Sequence, residues 1–142
     1  MQNKKGCGKL SDDSSPHLFY KFSYALYATY YQEVNAIVSQ TSTQLYNILG
    51  YSCNHNNEII KNAIKNTEPY IIYNMILNEV VPCIENMTDL LIGNLIIKPL
   101  KQFNINLTIN DIKKKTKYIK LISEKALHNI LRNAMLQTHN IN

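Results

Sequence analysis

The chain has 142 residues, a formal net charge of +5 and an apolar content of 45%. That length suits one domain and is too short for two full ones, and the apolar share is enough for a real core. With only four Gly and four Pro, a Gly/Pro-rich disordered chain and a turn-dense β-sandwich are both excluded.

Ile (19), Asn (19), Lys (14) and Tyr (10) together supply 62 of the 142 residues, against a single Arg and no Trp. These four types have AT-rich codons, so an AT-rich genome accounts for the excess without selection on function. The charge is unevenly placed. Residues 98–125 hold eight Lys against Asp111 and Glu124, a local +6, while residues 1–97 hold six Lys against eight acids, a local −2. A basic segment of this kind can face a polyanion.

Residues 1–15 are polar and unpatterned and read as a flexible, disordered tail. Met1 to Lys9 lacks the apolar stretch of a secretory signal. Ser15 and Pro16 have the chemistry of an N-cap and a first helical residue. From there to Ile48, the residues Leu18, Phe22, Leu26, Tyr30, Val34, Ile37, Thr41, Leu45 and Ile48 recur at steps of three and four. This predicts one long helix stopped by Gly50, with a break possible in the hydroxyl-rich stretch Ser39–Thr43. Residues 51–57 read as a loop, and a short helix is predicted over 57–67.

Thr67 and Pro69 predict a new helix start. Residues 69–92 are apolar on more than one face, as expected of a helix central to a bundle. Glu79, Glu85 and Asp89 exclude a membrane span there, and Pro82 should kink the helix. The helix is expected to continue to about Ile97, followed by a loop, with a short strand at Asn104–Leu107. Thr108 and Asp111 then read as a near-capping box opening a last helix over 109–136. Ile112, Ile119, Ile122, Ala126, Ile130 and Ala134 share one face of that helix, and most of its lysines take the other. The expected architecture is all-α: an irregular bundle of four to five helices over residues 16–136, a single domain, with a frayed end at 137–142.

Two surfaces are candidates for function. Tyr20, Tyr24, Tyr27 and Tyr31 follow steps of four, three and four beside the apolar stripe of the first helix. Tyr suits interfaces because it joins a large apolar body to a polar tip; core packing with hydroxyls at the rim is the plainer role. Lys113, Lys114, Lys117 and Lys120 present a cationic face that would suit the backbone of a nucleic acid or an anionic membrane surface. With no Arg in that segment, such binding would not read bases; a solvated helix face is the plainer role here too.

Three widely spaced cysteines, Cys7, Cys53 and Cys83, do not form a disulfide framework and read as reduced thiols. Cys53 and His55 lack the ligand spacing of a structural zinc site, and Glu85 and Asp89 suit pairing with Lys across the bundle, or facing solvent, better than metal binding. No cofactor or metal is expected. The sequence therefore points to a non-catalytic interaction or structural subunit of an intracellular assembly, cytoplasmic or nuclear, binding a protein partner or itself through the tyrosines. Polyanion binding through the lysines is the alternative.

Overall fold

A computed structural model describes residues 17–50 and 56–140, with side chains described for 18–50 and 56–134. The fold is all-α, and no strand occurs among the described residues. Ser15 and Pro16 lie outside them.

The single first helix expected over 16–48 is instead three helices: α1 (His17–Ala28), α2 (Tyr31–Ser39) and α3 (Thr41–Leu49). The apolar spacing holds across all three, since Leu18, Phe22, Ile37, Thr41 and Leu45 are buried. The break at Gln40 falls in the hydroxyl-rich stretch. The break at Thr29–Tyr30 has a tertiary cause. The Tyr73 hydroxyl donates to the Ala28 carbonyl at 2.7 Å in the core, taking an acceptor that a continuing helix would use for its next turn. The Thr29 hydroxyl donates back to the Ala25 carbonyl at 2.6 Å, a local competitor of the helical ladder. Tyr30 then turns extended, with φ −65° and ψ 137°, and its carbonyl receives the first bonds of α2 from Glu33 and Val34.

Helix α4 (Asn57–Ile64) opens on Asn56, whose side chain accepts from the Ile59 N–H at 2.9 Å. Helix α5 runs as Glu68–Met75, a π-helical turn Ile76–Val80, and Val81–Glu85. Thr67 holds the extended N-cap position, but its hydroxyl donates to the Ile64 carbonyl rather than capping. The Gln44 side chain of α3 caps instead, its Oε1 accepting from the Glu68 N–H at 2.6 Å. Helix α6 repeats the pattern as Asp89–Ile92, a π-helical turn Gly93–Ile97, and Lys98–Lys101.

A π-helical turn precedes Pro82, where the kink is expected, and the loop expected after Ile97 gives way to helix through Pro99. A proline inside a helix lacks a donor and clashes with the carbonyl four residues back. Each π-turn ends one residue before an X-Pro pair. Val81 N–H reaches the Ile76 carbonyl and Lys98 N–H the Gly93 carbonyl, both five residues back. The extra residue widens the turn ahead of Pro82 and Pro99, and the chain stays helical through both. Both widened turns pack against α1, where Phe22 meets a core that includes Ile76, Val80 and Ile96.

The strand expected at Asn104–Leu107 is a helix stop. Asn104 takes φ 61°. Its N–H bonds the Lys101 carbonyl, and the Ile105 N–H bonds the Leu100 carbonyl. This is the double closure of a left-handed C-terminal cap, with Asn in glycine's usual place.

Helix α7 (Ile109–Asn140) is the spine, touching each of the other helices. Its buried stripe is Ile112, Thr116, Ile119, Ser123, Ala126, Ile130 and Ala134, so two hydroxyl residues complete the apolar face and Ile122 lies only half-buried beside it. The capping box forms as expected: Thr108 Oγ1 accepts from the Asp111 N–H at 3.1 Å, and Asp111 Oδ2 accepts from the Thr108 N–H at 2.9 Å.

Cys83 is fully buried, as a small core residue should be, but it is disulfide-bonded rather than a reduced thiol. The cysteine it joins lies outside the described residues.

The hydrogen bonds from Thr108 hold the Asp111 carboxyl below its ordinary pKa. A carboxyl depressed by folding contributes stability above its unfolded pKa of about 3.9 and loses it as pH falls through the lower folded value. Thr108→Ala is expected to cost about 1 kcal/mol at neutral pH. Asp111→Asn should remove part of the acid sensitivity below about pH 4. Urea denaturation of parent and variants between neutral and acid pH checks both, and an unchanged acid slope in Asp111→Asn would count against the box.

Candidate interaction surface

The tyrosines are exposed because α1 has only one face to bury. Leu18, Phe22, Ala25 and Ala28 point into the core, which leaves the residues at steps of four and three on the opposite side facing out. Tyr20 is 61% exposed, Tyr24 38% and Tyr27 54%. The Tyr24 and Tyr27 rings lie 6.1 Å apart, tilted by 37°, within the range of favourable aromatic pairing.

The bend at Tyr30 separates the fourth residue. Tyr31 opens α2 and is 73% exposed, and no ring contact among the described residues joins it to the other three. The four residues therefore form a three-tyrosine ridge on α1 plus one tyrosine beyond the bend. A further member, Phe103, carries no signal in the local spacing. Its exposed ring stacks on Phe19 at 5.8 Å, and Phe19 in turn lies 5.4 Å from Tyr20. Phe103 follows the end of α6, and only the packing of α6 against α1 brings it there.

Two carboxylates border the ridge. The Tyr27 hydroxyl hydrogen-bonds Glu33 of α2, and this bond, reinforced by the Glu33 charge, raises its pKa. Tyr24 is raised by partial burial and then by the charge of Glu68 at the start of α5. Tyr73, beneath them, is pushed well above the ordinary phenol range, first by burial and then by Tyr24 and Glu33. Glu68 is held by Gln44, whose Nε2 donates to Glu68 Oε1 at 3.4 Å. Neither Glu33 nor Glu68 has a cation within ion-pair distance among the described residues.

The lysine face is partly committed. Lys113 pairs with Asp89 at 3.1 Å and Lys120 with Glu85 at 3.6 Å, all four side chains about half exposed. Glu85 and Asp89 thus pair with Lys across helices while staying about half exposed, in pairs worth little individually in water. Lys114 and Lys117 remain exposed and outside such pairs.

A cleft of about 230 Å³ lies between the α2–α3 junction and α7. It is lined by Ser39, Thr41 and Asn133 among others and by no charged side chain. No group of three or more potential metal ligands occurs among the described residues. Cys7, Cys53, His55 and the side chain of His17 lie outside them. No described helix is long and apolar enough to cross a membrane. No protein family, no curated protein and no solved structure matches the chain.

Glu33→Gln removes the carboxylate that raises Tyr27, so the phenol should ionise at a lower pH. Spectrophotometric titration of the tyrosines checks this. A titration curve identical to the parent's would place Glu33 away from Tyr27.

Proposed function

We propose that the chain is a non-catalytic interaction module that binds a protein partner through the aromatic face of α1. One observation carries the reading. Tyr20, Tyr24 and Tyr27 stand exposed on a helix whose opposite face is fully occupied by the core, and the stacked Phe19–Phe103 pair widens the same surface. Aromatic clusters of this kind supply large contact area at low conformational cost and are the residues most often found at interface centres. Tyr31 extends the face beyond the bend.

Within this reading the chain is a structural subunit of an assembly, and its compact bundle is the scaffold. An intracellular site, cytoplasmic or nuclear, suits the sequence; the Cys83 disulfide argues for a more oxidising compartment, because such bonds are rare where thiols are kept reduced. The alternative, polyanion binding through Lys113, Lys114, Lys117 and Lys120, draws on fewer free charges than the sequence suggests, since two of the four lysines are engaged by Asp89 and Glu85.

The pair Tyr24→Asp, Tyr27→Asp should abolish capture of a partner from the native source while leaving the helical circular dichroism and the melting cooperativity close to those of the parent. A pair that melts the fold yet still captures the partner would show the tyrosines to be core and end the reading.

A further inference from the structure

We propose that the partner seated on this face is a second copy of the chain, which presents the exposed lysines of its α7, Lys114 and Lys117, to Glu33 and Glu68 and to the rings of Tyr24 and Tyr27. The inference rests on the reading of α1 as an interaction face and names its occupant.

Three observations support it. First, the acidic and aromatic groups converge on one place. The Tyr27 hydroxyl hydrogen-bonds Glu33 at the start of α2, the charge of Glu68 at the start of α5 acts on Tyr24, and the two rings lie 6.1 Å apart. Two carboxylates beside tilted tyrosine rings suit an ammonium group, which gains from the carboxylate charge and from the negative ring faces together. Secondly, neither carboxylate has a cation within ion-pair distance among the described residues: Glu33 is bonded to Tyr27 and Glu68 to Gln44.

Thirdly, the same chain carries the complement. Of the lysines on the outer side of α7, Lys113 and Lys120 are drawn toward α6 and α5 by Asp89 and Glu85, whereas Lys114 and Lys117 are exposed beside Tyr118 and Leu121 and outside those pairs, Lys114 acting through its charge on Asp111. The long aliphatic stems of lysine can lie along aromatic surface while the heads reach the carboxylates. The contact joins two different faces, so it is head-to-tail and builds a ring or an open chain.

Sedimentation velocity on the full chain tests this over a wide concentration range, in dilute buffer and in about 1 M salt, where the screening length falls to about 3 Å. The parent should form species larger than a monomer that grow with concentration in dilute buffer and revert to monomer in high salt. Glu33→Lys with Glu68→Lys, and separately Lys114→Glu with Lys117→Glu, should each weaken association by at least about tenfold. An equimolar mixture of the two variants should associate again, because each supplies the charge the other lacks.

Should the Glu68 change disturb the Gln44 cap and unfold the chain, Glu33→Lys alone replaces it in the mixture. A parent that stays monomeric throughout in dilute buffer, or a mixture that stays monomeric, overturns the proposal. Capture of a different protein that depends on Tyr24 and Tyr27, with the parent monomeric, likewise overturns it while leaving the interaction reading intact.

Discussion

One buried hydrogen bond sets the shape of the first half of the molecule. The Tyr73 hydroxyl, on α5, donates to the carbonyl of Ala28 at the end of α1. Both groups are fully buried, and a buried carbonyl without a partner is costly. Once Tyr73 satisfies it, the chain can leave the helix at Thr29 without penalty, and it does so. The bend then decides what the surface looks like. It parts Tyr31 from Tyr20, Tyr24 and Tyr27, and it carries Glu33 back to the Tyr27 hydroxyl. The face assigned to partner binding is thus shaped from within the core.

The second half depends on a different device. Helices α5 and α6 each contain a proline that would break an ordinary helix, and each meets it with one wide turn. The two wide turns lie against α1, so the prolines that threaten helix continuity sit next to the contacts that α5 and α6 make with it. Helix α7 closes the assembly with a single stripe of buried residues, fixed at its start by the Thr108–Asp111 box. The outward side of the same helix carries the positive charge, divided between lysines tied to Asp89 and Glu85 and lysines left free.

What the sequence reveals and what it hides follow from the range of the interactions. The Thr108–Asp111 cap, the buried stripe of α7 and the break near Gln40 depend on residues a few positions apart, and their spacing shows them directly. The pairing of Glu85 and Asp89 with lysines was legible as a preference of residue types, though not as particular partners. The bend at Thr29–Tyr30 was hidden because its cause lies 45 residues away, at Tyr73. Pro82 and Pro99 announce a disturbance but not its form, since a kink, a stop and a wide turn all answer the same clash. Asn104 alternates with its neighbours as a strand residue would, and only its left-handed conformation reveals a helix stop. The tyrosine ridge was readable for the three residues of α1. Its border of Glu33, Glu68 and Phe103 required the fold.

The bend at Thr29–Tyr30 rests on the Tyr73–Ala28 bond, and Tyr73→Phe isolates that bond because the ring that fills the core is kept. Equilibrium urea unfolding of parent and variant at neutral pH is the measurement. Leaving the Ala28 carbonyl buried and unpaired should lower stability by about 1–3 kcal/mol with little change in the denaturant slope. A variant as stable as the parent would show that the bend is held by something other than this bond and would contradict the account.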